Sequence, residues 1–443
     1  MKQLIKNAGI VNEGHIVYGD VLISGERIEK IAPVIDAPAE EIDASGKFLI
    51  PGLIDDQVHF REPGLEHKGD IYTESRAAVA GGITSYIEQP NTRPPATTME
   101  LLEQKFALAA KKSFANYSFN LGATNDNIEE LLRADYSRFA GIKLFMGSST
   151  GNMLVDNENV LTRIFRDCRH LLFTHCEDEG TIQRNLETFK ERYGENIPAS
   201  AHPLIRTEEA CYLSSQLAIS LAKKYDTRLH IYHISTAKEA RAFDTGQELA
   251  KKRITAEACI HHLWFCDEDY ENKGNLIKWN PAVKTAQDRE GIWQALLEGR
   301  IDVIATDHAP HTLEEKLQSY LSAPSGGPLV QHALPAMMDF VKQGKISLEL
   351  AVEKLCHNPA IICRVKHRGY LREGYYADMV LIDPERRQTV AKDNILSKCG
   401  WSPFEGHTFG SVVTKTWING KLCWNDGVLS EKPHGERLVF DLV

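Results

Sequence analysis

From about residue 51 to residue 365 the chain alternates, eight times, between short apolar runs and longer segments with helical spacing. No other feature constrains the fold as strongly. The apolar runs read GLIDDQVHF, GGITSYIEQP, NYSFNLGA, GIKLFMG, HLLFTHC, RLHIYHIS, ITAEACI and IDVIATDHAP. Between most of them lie segments such as TMELLEQKFALAAKK and EEACYLSSQLAISLAKKY, whose apolar residues recur every three or four positions. Parallel strands need long crossovers, which helices supply, so this pattern predicts a (β/α)8 barrel over residues 51–365. Two polar stretches rich in Gly, Pro and Ser, 178–206 and 311–330, read as loops over a site, the second with a Gly326–Gly327 pair that suits a closing loop.

The two ends of the chain read differently. QLIKNAGIV, DVLISGERIEKIA and KFLIPG near the start, and DMVLIDP and VVTKTWINGKLCWNDG near the end, are strand-like runs separated by Gly and Asn turns. Asn419-Gly420 between two apolar runs signals a hairpin. The expected fold is therefore α/β: a TIM-like (β/α)8 barrel with a small β-sandwich domain built from both termini, residues 1–50 and 366–443.

Charge and composition exclude several functions. A net charge of −10 argues against nucleic acid, whose phosphates demand a basic face. No apolar run is long enough to span a bilayer, and the N-terminus lacks a signal-peptide pattern. The nine cysteines are scattered, with no C-x-x-C pair, and read as buried small hydrophobes in a reducing cytoplasm. A small-molecule substrate remains the natural partner.

The chemistry gathers at the C-terminal ends of the apolar runs. Gln57, His59 and Arg61 end the first, Asn91 follows the second, Lys143 lies in the fourth, and His175 and His233 lie in the fifth and sixth. His261 and His262 follow the seventh, and Asp307, His308 and His311 the eighth. On a strand, Asp55, Gln57, His59 and Arg61 share one face. A closed barrel brings all these ends to one mouth, where such enzymes keep their active sites. A lone histidine among the chain's 17 is ordinarily a surface or satisfied core residue, and His15, His67, His230, His332, His357, His367, His407 and His434 read that way. His59, His175, His233 and Asp307 at a common end read instead as metal ligands. Lys143 on an apolar strand, if turned inward, is pushed towards its neutral amine. A neutral amine can add CO2 to form an anionic, metal-bridging carbamate.

At these residues the sequence resembles the amidohydrolase superfamily, and within it the dihydroorotase-type cyclic amidohydrolases, over nearly the whole chain. PGLIDDQVHFREPG resembles P-G-h-I-D-x-H-V-H-x-R-x-P-G and EQPNTRP resembles M-P-N-T-x-P. THCED, YHIST, AEACIHHL, KWNPAVK, ATDHAPH, NPA and GYYADMVLID follow in the family's order. The resemblance implies that His59, Lys143, His175, His233 and Asp307 hold one or two zinc ions, with Lys143 carboxylated. It implies that Asp307 is the general acid and base. Arg61, Asn91 and His311 then hold a substrate carboxylate, and Asn280 contacts the ring. Where many bacterial members carry an F-T-D-D-G run, this chain has KLFMGSSTG, which favours the lysine form.

The implied reaction is the reversible cyclisation of N-carbamoyl-L-aspartate to L-dihydroorotate in de novo pyrimidine synthesis, by metal-activated hydroxide. The resemblance also leaves room for a homodimer and for association with other enzymes of that route. One departure stands out: Gln57 replaces the family's first metal histidine and offers only a weak, uncharged ligand. The site then keeps two metals, keeps one, or has lost catalysis. Two other readings stay open. One is a dihydropyrimidinase, hydantoinase or allantoinase, against which Arg61 and Asn91 argue because neutral rings need no arginine. The other is a non-catalytic scaffold, supported by Gln57 alone.

Overall fold

The computed structural model describes residues 2–147 and 153–441. The barrel strands are β1 (Leu53–Val58), β2 (Ile83–Glu88), β3 (Asn116–Phe119, resuming at Leu121–Gly122), β4 (Ile142–Phe145), β5 (Leu172–His175), β6 (Leu229–Ile231), β7 (Ile254–Cys259) and β8 (Val303–Ala305). Each pairs in parallel with the next. A parallel bridge between Val58 and His308 brings the exit of β8 back beside β1 and closes the ring. The strands are buried on both faces, as expected when helices cover a parallel sheet.

Most crossovers begin at a side-chain cap. Thr98, Asp178, Thr207 and Thr285 accept from the backbone N–H three residues on, and so satisfy a free donor at each helix start. The helices Met99–Lys112 and Glu208–Tyr225 fall where the apolar spacing puts them. The segment 178–206 does not follow the sequence reading. It holds the helix Glu179–Tyr193 and the short helix His202–Ile205. The first of these buries only Thr181 and Ile182, so its remaining polar positions hid the helical period. The segment 311–330 contains the short helix Leu313–Lys316, started by a Thr312–Glu315 capping box.

Strands from both termini build one nine-stranded sheet. It curls so that the Val412–Ile418/Lys421–Asn425 hairpin meets the start of the chain. Trp417 Nε1 donates to Gln3 Oε1, and the backbone at Gly420 packs on Gly25. Asn419 (φ 49°) and Gly420 (φ 70°) form the expected two-residue turn, both in the left-handed region that such hairpins require. The sheet encloses its own core around Ile5, Val21, Leu49, Met379 and Trp417. Inside the barrel, Ile54, Ile87, Phe173, Tyr232 and Val303 pack on Ile362, Val365 and Phe440, which plug its lower end. All nine cysteines are free, and eight are buried. Among the described residues no helix is long and apolar enough to cross a membrane.

Candidate active site

The residues to which the resemblance gives metal or substrate roles, with Gln57, line one pocket at the barrel mouth: Gln57, His59, Arg61, Asn91, Lys143, His175, His233, Asn280, Asp307 and His311. Simple alternation does not explain how they get there. The pairing of β1 with β2 slips between Asp55 and Val58, and β1 ends at Val58. Gln57, His59 and Arg61 reach the pocket, but Asp55 does not. Its carboxylate accepts from Thr306 Oγ1 at 2.6 Å, just beyond β8. Arg61 (φ 74°), His233 (φ 40°) and Asp307 (φ 48°) adopt left-handed backbone conformations. Each such conformation in a non-glycine residue costs about 1–3 kcal/mol and gathers at functional sites. Here the turns aim three side chains inward after the strands have ended.

The imidazoles are held in defined states. His59 Nδ1 lies 2.8 Å from Asn91 Oδ1, so the proton sits on Nδ1. The lone pair of Nε2 then faces Asp307 Oδ1 at 3.2 Å. His175 Nε2 lies 3.0 Å from the Glu177 carboxylate, which leaves Nδ1 to face His233 Nε2 at 3.0 Å. Burial, with Arg61 and Lys143 nearby, holds His59 far below its usual pKa, and burial does the same to His233. Burial pushes Asp307 up to about 7, against the pull of Lys143, His175 and Arg61. Glu177 goes the other way, to about 2. Its burial is outweighed by Arg206, which is ion-paired to it, and by His175. His59 with Asp307 and His175 with His233 thus form two close donor pairs in one pocket, with the far ring nitrogens tied to Asn91 and Glu177, the residue types and orienting contacts that transition-metal sites use. The residues fit a divalent metal.

Lys143 is 1 % exposed, with Nζ 4.0 Å from the centre of the Tyr232 ring and 4.8 Å from that of Phe145. Among the described residues no hydrogen bond or ion pair closes on Nζ, and burial lowers its pKa to about 7. Residues 148–151 of the KLFMGSSTG run lie outside the described residues. Gln57 lines the pocket, but its Oε1 accepts from Cys259 Sγ at 3.6 Å, so that oxygen is already engaged.

The outer side of the pocket is cationic. Arg61 Nε donates to Pro310 O at 3.0 Å, and Nη2 lies 2.9 Å from His311 Nε2. Lys68 Nζ approaches His311 Nδ1 at 3.0 Å, and Trp401 Nε1 donates to His311 O at 2.8 Å. Among the described residues Asn280 Oδ1, which is buried, has no hydrogen-bond partner. The segment 311–330 covers this side and is firmly held. Buried Lys316 donates to the carbonyls of Lys278, Pro324 and Gly326, and Lys278 donates to those of Tyr320 and Ala323. A Cβ on Gly326 would lie 2.6 Å from Ala309 O, and one on Gly327 2.7 Å from the Trp279 ring. The glycine pair is thus explained by close packing.

Sequence reading missed Lys68, Trp401 and the orienting role of Glu177, although Glu177 stands beside His175 in THCED. His261 and His262 come near but line no part of the pocket. His261 stacks on Trp279 with centroids 4.4 Å apart, and His262 Nε2 bonds Pro281 O. His230, set aside as an ordinary histidine, lies wholly buried inside the barrel.

A parallel barrel whose mouth gathers imidazoles, an amine and a carboxylate defines a metal-dependent hydrolase of the barrel class. Comparison with known proteins makes this specific. The chain belongs to the amidohydrolase family, whose profile matches residues 48–423. It is 34% identical to a dihydroorotase of Halobacterium salinarum over 419 residues, covering 93% of this chain and 94% of that one. It is 33% identical to a dihydroorotase of Bacillus cytotoxicus, covering 96% and 98%. Among solved structures, the L-hydantoinase (dihydropyrimidinase) of Arthrobacter aurescens is similar with a TM-score of 0.92 at 25% identity, covering 99% of both chains. The dihydropyrimidinase of Brevibacillus agri shares the fold, with a TM-score of 0.90 at 24% identity over both full lengths.

Proposed function

We propose that the protein catalyses the reversible cyclisation of N-carbamoyl-L-aspartate to L-dihydroorotate, the dihydroorotase reaction, with zinc as its metal. One observation carries this reading over the hydantoinase alternative. Arg61 is 7 % exposed, and among the described residues no carboxylate forms an ion pair with it. Burial pulls its guanidinium down to about 10. A buried cation without its anion is costly, and a substrate carboxylate relieves that cost through two parallel hydrogen bonds. Neutral hydantoins and dihydropyrimidines bring no such group.

His59, Lys143 as its carbamate, His175, His233 and Asp307 are the residues we assign to the metal. A divalent ion held by them would lower the pKa of a water towards about 7 and polarise the substrate carbonyl. Arg61, with Asn91 and His311, fixes the carboxylate, and Asn280 offers its free oxygen to the ring. Asp307 takes a proton from water during ring opening and returns it to the departing ring nitrogen. In ring closure the same carboxyl moves the proton the other way. The Lys316-pinned segment keeps bulk water from the outer wall. The free, mostly buried cysteines suit a reducing cytoplasm.

The test is a substrate panel on the zinc-loaded protein. Dihydroorotate and carbamoyl aspartate are expected to turn over with kcat/KM at least 100-fold above hydantoin, dihydrouracil and allantoin. Equal or better turnover of a neutral ring rejects the assignment. No turnover of any of them favours a scaffold.

A further inference from the structure

Beneath the mouth, on the inner face of the barrel, Asp56 of β1, His230 of β6 and Glu257 of β7 converge. All three are 0% exposed. His230 Nε2 lies 3.4 Å from Asp56 Oδ2 and 3.5 Å from Glu257 Oε2, and one ligand atom from each residue falls within 4.8 Å of the others. The protonation of the ring follows from its other nitrogen. His230 Nδ1 is 2.7 Å from Thr255 Oγ1, whose hydroxyl donates to Leu229 O at 3.3 Å. With that hydroxyl turned to Leu229 O, Thr255 accepts, Nδ1 carries the proton, and Nε2 presents a lone pair to the carboxylates. Among the described residues no N–H or hydroxyl donor reaches Nε2, Asp56 Oδ1, Asp56 Oδ2 or Glu257 Oε2, and only a proton shared between the two carboxyls would join Asp56 to Glu257. With both carboxyls ionised, four buried acceptors converge with no donor among them. A single water supplies two protons to four acceptors. A divalent cation balances two carboxylates and is bound by a neutral imidazole.

We infer that Asp56, His230 and Glu257 form a structural divalent-cation site inside the barrel, separate from the metal residues at the mouth. The donor set of one nitrogen and two carboxylates suits zinc, manganese or ferrous iron rather than calcium. The second oxygen of Glu257 accepts from the backbone N–H of His233 at 3.1 Å and from Cys259 Sγ at 3.5 Å. An ion below therefore steadies the turn that aims His233 into the mouth. Because the site is fully enclosed, the ion enters as the chain folds and resists removal afterwards. The inference does not depend on which ring the mouth accepts.

The test uses the full chain produced in Mn2+-supplemented medium, then treated with a chelator and crystallised. Diffraction above and below the manganese edge is expected to show an anomalous peak bonded to Asp56, His230 and Glu257, distinct from any peak at the mouth. Metal analysis of the same chelated protein is expected to find about one Mn2+ per chain, and Asp56→Asn is expected to lose it. Should Asp56→Asn fail to fold, the wild-type map decides alone. The absence of a peak between the three side chains overturns the inference. So does density there for a water or a direct carboxyl–carboxylate contact, in which shared protons replace the ion.

Discussion

Replacing Arg61 with methionine separates what this residue does for function from what it costs the fold. The guanidinium is 7 % exposed, and burial lowers its pKa from 12.5 to about 10. At about 1.4 kcal/mol per unit, holding it charged in the folded protein costs about 3 kcal/mol. Methionine removes that cost and fills a similar volume, but forfeits the contacts to Pro310 O and His311, each worth about 1.5–3 kcal/mol for a charged donor. The expected net change is a loss of about 0–3 kcal/mol in substrate-free, metal-free protein. With an unfolding entropy of about 2.1 cal/mol/K per residue over 443 residues, the melting temperature should fall by no more than about 3 °C. On the substrate side, losing one partner of a buried charge pair costs about 2–5 kcal/mol, so KM for dihydroorotate should rise at least about 30-fold. Calorimetry of chelated protein and steady-state kinetics of zinc-loaded protein read the two effects. A KM within threefold of wild type refutes the role of Arg61, and a fall in melting temperature well beyond about 3 °C refutes the burial argument.

Other perturbations probe different parts of the account. Glu177→Gln should weaken metal retention by about 10- to 100-fold through the loosened His175 ring, read by competition with a chromogenic chelator. Gln57→His restores a strong donor beside His59 and should raise the zinc retained per chain after dialysis; unchanged retention means that position does not face the metal. Glu239, which accepts from the Thr236 hydroxyl at 2.8 Å, is pushed by burial from 4.5 to about 7. The folded state therefore keeps a proton that the unfolded chain sheds, and stability from this group is full below about pH 4 and lost as pH rises towards 7. Glu239→Gln should match wild type near pH 4.5 and exceed it by about 3 kcal/mol at pH 8 in urea unfolding. A difference independent of pH would show that the carboxyl is not buried as described.

Much of the architecture was legible because a parallel barrel writes itself plainly. Strands covered on both faces become continuous apolar runs, and long crossovers become amphipathic helices. The turn at Asn419-Gly420 was readable for the same reason: few residues tolerate its backbone. The helix Glu179–Tyr193 was not, since it packs through only two residues and its polar surface looked like a loop. At the mouth, which residues gather in one pocket was legible but their aim was not. His233 and Asp307 reach the pocket through left-handed turns after their strands end, and Asp55 leaves it because β1 slips in register. Asp56, His230 and Glu257 were invisible as a group. They come from three strands, and only the register of the closed barrel brings them together.

Turnover of dihydroorotate before and after metal removal tests the central claim most directly: that side chains from separate barrel strands hold a metal beside an arginine that grips an acidic ring. The account predicts ring opening by the purified protein, loss of that activity on chelation, and its return on adding zinc, with His59→Ala inactive under all three conditions. Full activity in chelated protein whose mouth is shown to hold no metal would contradict it, as would a zinc-loaded His59→Ala variant that works as well as wild type.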